Sequence, residues 1–455
     1  MQRRSHVIVV AIFIFISMAF LLLPQVMINV EQRPHLPNRL ESNSLIIYRA
    51  YVDQRMQWPT IRIIAFSQCR DINSTLRTST SSAILRAEPV EGSCPWKWAP
   101  TCKWVAFMLT ANLTQRYPIP KSIFLREGNR QAAIRVHPMP SARSGLHVCV
   151  PPLYWYSDYV AIIQFIEIWK LQGASHFYIY YQSISRTVLN VIRTYAKQGI
   201  VTIIEWRLVP KSTIDPNRSI YRIGHSLAHN DCLLRSNGRF VALVDIDEFI
   251  IANGTDLIPL LTNLLQREPL VGSFIFAHSR LRFYQQNRLI QVNDWRNINF
   301  EWLLDTEFEL GNGPPKTIFL PDRTEIMLTH SALRHLTPFI QLTVADSAAR
   351  LYHARNTWSS SDVPGDFITV RIFHKENVAL IRRNYFTIMS ALSPFDDDNL
   401  SNATNVIARL VTRCLSKWKE EGCKTPFHSC RKLLINEANW ILSDDTLSTS
   451  PYIIL

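Results

Sequence analysis

The spacing of apolar and polar positions divides the chain into stretches of different rhythm. Val7 to Leu23 is apolar throughout except for Ser17, and Arg3 and Arg4 precede it. That length suits a short membrane-spanning helix. The basic flank puts residues 1–6 in the cytoplasm and everything after the span in a lumen. Pro24-Gln25-Val26 offers no small-residue cleavage site, so residues 7–23 are expected to be an uncleaved signal anchor rather than a cleaved signal peptide. Residues 24–44 show no apolar period and read as a polar stem. From Leu45 onward, short runs such as Ile61-Arg62-Ile63-Ile64-Ala65-Phe66 and Trp104 to Leu109 are separated by Ser/Thr/Pro-rich segments. This pattern predicts a small β-rich accessory region over 45–140.

Near His147 the rhythm changes again. His147–Val150, His176–Tyr181, Ile200–Trp206 and Phe240–Phe249 read as strands. Between the first two, Tyr159, Ile162, Ile163, Ile166 and Trp169 recur at helical spacing, with Ser157 or Asp158 to cap and Gly173 to close. Ser185 opens a second helix closed by Gly199, and Ile223–Arg235 reads as a third. Strand and helix in alternation build a mostly parallel α/β sheet with flanking helices. Such a domain is expected over 141–385. A helical extension over 386–455 follows, including Val406–Lys419 and Arg431–Leu442.

Composition narrows the classes. A chain of 455 residues, 47% hydrophobic, has enough material for two or three folded domains. The net charge of +13 is scattered and contains no basic run or nucleic-acid module, so nucleic acid is not an expected partner. An anionic substrate or a membrane surface fits that charge better. Six Asn-x-Ser/Thr sequons (Asn73, Asn112, Asn217, Asn253, Asn399, Asn402) and all eight cysteines lie beyond the apolar run, as in an oxidising lumen. No cysteines are spaced CxxC, so disulfides rather than zinc are expected, with pairing left open. Cys232 is alternatively a buried free thiol. Cys414, Cys423 and Cys430 are expected to staple the C-terminal end, to one another or to Cys232.

The chemistry concentrates at the end of the Phe240–Phe249 run, where Asp245, Asp247 and Glu248 follow apolar residues. Ligands of open α/β sheets lie beyond the carboxyl ends of the strands. In extended chain, Asp245 and Asp247 point the same way, which suits Mg²⁺ or Mn²⁺ and through it a diphosphate. The other reading is that these acids cap a following helix. No glycine stands at the sixth loop position, which excludes an EF-hand, and no GxGxxG follows the first strand, which excludes a dinucleotide site. Asp231 falls within the apolar stripe of Ile223, Leu227 and Leu234. An inward carboxylate needs a partner: a nucleotide, the metal shell, or a structural hydrogen bond.

Several segments occur together in order: Cys149-Val150-Pro151-Pro152-Leu153-Tyr154-Trp155, Phe165-Ile166-Glu167, Gln172 to Tyr180, Ala228 to Leu233, Val244 to Phe249 and Lys316-Thr317-Ile318. On these residues the chain resembles glycosyltransferase family 92 over roughly Leu45 to Arg383. The resemblance implies a GT-A-like fold and a single-pass type II enzyme of the Golgi membrane with its catalytic domain in the lumen. It implies transfer of galactose from UDP-galactose, with inversion, to a glycan acceptor on glycoproteins. Asp245 and Asp247 match the family's Asp-x-Asp, the ligands of Mn²⁺ (or Mg²⁺) and the nucleotide sugar. A late histidine would complete the metal shell, with His330 and His353 as candidates. Ala354 stands where a tyrosine is expected after His353. The acceptor's proton would go to Glu301, Asp305, Glu307 or Glu309. Pro151, Pro152 and Tyr154 would lie against uridine, Asp231 against the nucleotide, and Arg280 and Lys316 against phosphate. Two other readings stay open, another UDP-sugar as donor and a lumenal glycan-binding protein that has lost catalysis.

Overall fold

The strand-forming runs of the accessory region pair with one another: β1 (Ile46–Asp53), β2 (Thr60–Gln68), β3 (Ser74–Arg77), β4 (Ser82–Ile84), β5 (Arg86–Pro89), β6 (Trp104–Asn112), β7 (Ser122–Glu127) and β8 (Arg130–Pro138). The computed structural model describes residues 40–455 apart from 79–81, 115–118, 142, 255, 284–294, 312, 355–366, 393–406, 408–409, 412, 415–422, 424–425 and 446–449. The expected anchor at 7–23 therefore lies outside the described residues, as do Asn399, Asn402 and most of 406–419. Among the described residues, no helix is long and apolar enough to cross a membrane.

The α/β part alternates as its periodicity predicts. β9 (Leu146–Leu153) leads into helix α1 (Tyr159–Leu171), then β10 (Ala174–Tyr181), a short β11 (Ser183–Ser185), helix α2 (Arg186–Lys197) and β12 (Val201–Glu205). Of the two residues that the sequence offers as caps, Asp158 is the one used, its carboxylate accepting from Ala161 N at 2.8 Å. Helix α3 (His225–Arg235) precedes β13 (Phe240–Leu243). The remaining strands are β14 (Glu248–Ala252), β15 (Val271–Phe276), β16 (His278–Phe283), β17 (Thr306–Leu310), β18 (Lys316–Phe319), β19 (Thr324–Met327), β20 (Ala332–His335), β21 (Ile340–Thr343), β22 (Ala349–His353) and β23 (Ile368–Val370). Among the described residues the central sheet has seven strands, in the order β12-β10-β9-β13-β18-β15-β21. Only β18 runs against the others, being antiparallel to both β13 and β15. A second sheet, β14-β22-β16-β17-β23, abuts it.

Alternate residues of the central strands feed two cores. Val148, Val150, Phe177, Ile179 and Ala242 pack against α1, α2 and the later helix α5 (Lys375–Leu392), while helix α4 (Leu257–Arg267) adds Leu257 and Leu261. Tyr178, Tyr180, Val241 and Leu243 face the other way, onto α3. Tyr51, Ile64, Phe66 and Met108 of the accessory sheet close over the far side of α3. Every residue from His225 to Leu234 is consequently buried. Gly224, at φ +90°, is needed at this crossing because a Cβ there would come within 2.5 Å of the Phe66 ring. The accessory sheet also grips the β19–β20 hairpin, since buried Arg62 pairs with Asp53 at 2.6 Å and with Glu325 at 3.0 Å.

Three expectations are corrected by this architecture. Cys232 is not a free thiol, because it bridges to Cys149 and so ties α3 to β9. Cys414 pairs with Cys430, but Cys423 reaches back to Cys102 of the accessory region. The C-terminal extension is not wholly helical. Helix α6 (Pro426–Leu434) is followed by β24 (Trp440–Leu442), which pairs with β11, and by β25 (Ile453–Ile454), which pairs with β1. Among the sequons, Asn217 is buried, and its amide donates to Val209 O at 2.7 Å.

Candidate functional site

The long apolar run 240–249 does not stay one strand. β13 ends at Leu243, and Glu248 N donates to Asp245 O at 3.1 Å, making a tight turn of Asp245-Ile246-Asp247-Glu248. Asp in the first position suits such a turn. The turn carries the chain out of the central sheet into β14 of the second sheet. Asp245 and Asp247 therefore do not share a strand face. They engage different neighbours.

Asp245 faces Lys316, the first residue of β18, whose Nζ lies 2.9 Å from Asp245 Oδ2 and 3.0 Å from Glu248 Oε2. β13 and β18 are antiparallel, with Leu243 opposite Thr317, which brings Lys316 beside the turn. Burial works against the charge on Lys316, but Asp245 and Glu248 outweigh it and raise its pKa above the ordinary lysine value. Burial likewise opposes the charge on Asp245. Lys316, then His225 and Arg222, nevertheless hold that carboxyl well below the usual carboxylate range. Burial lifts Glu248 above its usual range despite Lys316.

Basic and imidazole groups surround this pair. His225 Nε2 stands 3.8 Å from Asp245 Oδ1, and its ring lies 4.5 Å from that of His229 one helical turn on. Burial, reinforced by Lys316, pushes the His229 pKa down to about 3, and burial and then His229 depress His225 well below the ordinary value. Arg222 lies within electrostatic range of Asp245, Glu248 and Tyr154. It adopts φ 43°, ψ 44°, and Ile223 follows at φ 51°. Left-handed backbone at two side-chain-bearing residues costs on the order of 1–3 kcal/mol each and is concentrated at functional sites. His330 sits in the β19–β20 turn, not in a strand. Its Nδ1 lies 3.1 Å from Pro315 O, and burial followed by Lys316 lowers its pKa to about 4.

Asp247 faces the second sheet. β14 pairs with β22 so that Glu248 stands opposite His353, which brings His353 Nε2 to 3.2 Å from Asp247 Oδ2. Two such atoms are spaced like neighbouring ligands of an ion with bonds of about 2.1 Å. Among the described residues, no group of three or more His, Cys, Asp or Glu is gathered to hold a metal by itself. A cation here would take two protein ligands and complete its shell with water and phosphate oxygens, as Mg²⁺ does. The donor set fits a hard divalent cation on those terms.

The other residues singled out by sequence are placed as follows. Pro151 is buried within β9, and Tyr154 follows that strand, half-buried. Asp231 is not part of the group around Asp245. Its carboxylate accepts from Tyr51 at 2.5 Å, Tyr180 at 2.7 Å and Arg235 at 2.6 Å, and it is wholly buried. Glu301 and Asp305 are exposed. Glu307 and Glu309 pair across β16–β17 with Arg282 at 2.8 Å and Arg280 at 3.1 Å. Arg280 is in register with His353, which ties Glu309 to the site. Sequence reasoning gave no role to Arg222, His225 or His278, and gave Glu248 only a share in the helix-capping alternative. The i, i+4 spacing of His225 and His229 on a buried helix was the one signal available.

Comparison with known proteins gives the family. Residues 144–391 match the model of glycosyltransferase family 92, more than half of the chain. The chain is a member of that family. A Caenorhabditis elegans family 92 protein is 26% identical over 246 residues, covering 52% of this chain and 46% of the relative. A Caenorhabditis elegans beta-1,4-galactosyltransferase, galt-1, is 23% identical over 223 residues, 46% of this chain and 48% of the relative. The matches thus span about half the length of these family relatives. A solved structure of Staphylococcus aureus TarS residues 1–349 with UDP-GlcNAc is 10% identical, covers 64% of this chain and 81% of that solved chain, and aligns with a TM-score of 0.27. At that score the likeness carries no argument about this family 92 chain. The matched segment begins two residues before β9 and ends within α5, so it encloses both sheets and the whole Asp245–Glu248 group.

Proposed function

We propose that the protein is a metal-dependent inverting glycosyltransferase that moves galactose from UDP-galactose to a glycan acceptor on glycoproteins. The observation that carries this reading is the Asp245–Glu248 turn. Within the family 92 segment, beyond the end of β13, it offers Asp247 to His353 and Asp245 to Lys316. Asp247 and His353 are the residues that would hold Mn²⁺ or Mg²⁺. When bound, the cation supplies neutralisation of the charge that develops on the departing diphosphate. Lys316, Arg222 and the N–H groups of neutral His225 and His229 lie around Asp245 as donors for phosphate oxygens. Asp245 keeps Lys316 charged and aimed. Inversion needs a carboxylate to take the acceptor's proton on the face away from the leaving group, and among the acids at 301–309, Glu309 is the one tied by register to His353.

Galactose as the sugar is supported by the likeness to galt-1, whose name states that transfer. A Golgi location with one type II span at 7–23 is supported by the apolar run behind Arg3 and Arg4. Four disulfides among the described residues fit an oxidising lumen. The test is incubation of the purified full chain with a panel of UDP-sugars, Mn²⁺ and a glycoprotein acceptor. The expected result is UDP release that needs UDP-galactose and is abolished by chelation, with an anomerically inverted product. No turnover of any UDP-sugar, with or without metal, would leave a glycan-binding protein as the reading.

A further inference from the structure

The imidazole of His353 is held from behind by a second one. His278 Nε2 lies 3.2 Å from His353 Nδ1, and the two rings meet edge to face at 89° with centroids 5.4 Å apart. The backbone sets this contact, because β16 runs parallel to β22 with His278 opposite Leu351 and Arg280 opposite His353. His278 is buried, only 7% exposed. On its other side two glycines press close. A Cβ on Gly313 would fall 2.4 Å from His278 Nδ1, and one on Gly311 would fall 3.0 Å away. Pro314, Pro315 and Lys316 follow Gly313 directly. His278 thus stands between the imidazole beside Asp247 and the segment that delivers Lys316 to Asp245 and Glu248.

We propose that His278 is a positioning residue that orients His353 as a divalent-cation ligand and seats the glycine-flanked loop leading to Lys316. The proposal rests on the metal-dependent reading above. An imidazole that ligates through Nε2 carries its proton on Nδ1, and that proton needs an acceptor to fix the ring and its tautomer. His278 Nε2 is placed to accept it, with the His278 proton then on Nδ1. The glycines are explained by the same arrangement, since any side chain at Gly313 would displace the His278 ring.

The test uses the purified full chain and Mn²⁺ alone, with affinity measured by titration calorimetry and folding by thermal unfolding without metal. His278→Ala is expected to weaken Mn²⁺ binding by about 10- to 100-fold. His278→Gln, whose amide reaches the Nε2 position, is expected to recover most of that loss. Gly313→Ala, which pushes on the ring without removing it, is expected to weaken Mn²⁺ binding as well. A folded His278→Ala chain with wild-type Mn²⁺ affinity would overturn the proposal, as would a Gln variant no better than Ala. If His278→Ala does not fold, unchanged affinity in Gly313→Ala overturns it instead. A wild-type chain that binds no Mn²⁺ would sink the metal reading itself, a result separable from loss in the variants alone.

Discussion

Tyr51 donates its hydroxyl to Asp231 Oδ1 at 2.5 Å, from the accessory sheet across to helix α3. Tyr180 of the central sheet and Arg235 complete the shell, so the carboxylate is the point where three elements meet. Leaving a buried charge short of a donor costs about 1–3 kcal/mol. Tyr51→Phe is therefore expected to lower unfolding stability by that amount in denaturant titration. Nucleotide affinity of the folded variant should stay at the wild-type level. A selective loss of nucleotide binding would instead return Asp231 to the site.

Asp247 keeps 30% of its side-chain exposure and contributes little to either core. Asp247→Ala is expected to abolish sugar transfer and Mn²⁺ binding while shifting unfolding stability by no more than about 0.5 kcal/mol. Circular dichroism melts alongside a UDP-release assay check both halves. An unfolded variant would mean that the acid serves the turn rather than a cation.

Lys316 is the cation between Asp245 and Glu248, with 2% of its side chain exposed. Removing one member of a buried ion pair costs about 3–5 kcal/mol, and the lower end applies because Asp245 is 32% exposed. Lys316→Met is expected to destabilise by about that amount, and Lys316→Met with Glu248→Gln to regain much of it. Denaturant midpoints of the single and double variants decide this. A double variant no more stable than the single one would show that the charge left behind is not the cause.

Glu91, half-buried with its carboxylate enclosed beside Ser226 at the start of α3, has its pKa raised by that desolvation to about 7. Its folded value exceeds its unfolded value, so the folded chain binds the extra proton. Stability from this group is present below about 4.5 and is lost as pH rises through about 7. Glu91→Gln should abolish that fall, so the variant should gain on the wild type as pH increases across this window. His229 acts with the opposite sign. Its pKa is depressed to about 3, so acid favours the unfolded chain from about 6.5 downward. Unfolding midpoints of wild type and Glu91→Gln from pH 4 to 8 measure the difference. Curves that stay parallel would refute it.

The alternation of strands and helices was legible because period 2 and period 3.6 are local properties. Asp158, Gly173 and Gly199 were legible as helix punctuation for the same reason. The break at Leu243 was not. Residues 240–244 are strand-like and Ile246 and Phe249 extend the apolar pattern, so the run reads as one strand, whereas the chain leaves the central sheet after Leu243 and enters the second sheet at Glu248. Asp231 could be seen to need a partner, but Tyr51 lies 180 residues away. Cys102 and Cys423 are separated by 321 residues, beyond any spacing rule.

By itself the sequence determined the α/β class, the accessory β region and the cluster of acids behind an apolar strand, because each is written in neighbouring residues. Tertiary structure decided what those acids do. The sheet register of β13 with β18 assigns Asp245 to Lys316, and that of β14 with β22 assigns Asp247 to His353. Register depends on pairing between segments that are distant in the chain, so only the folded molecule could divide the two acids between a cation of the protein and an imidazole.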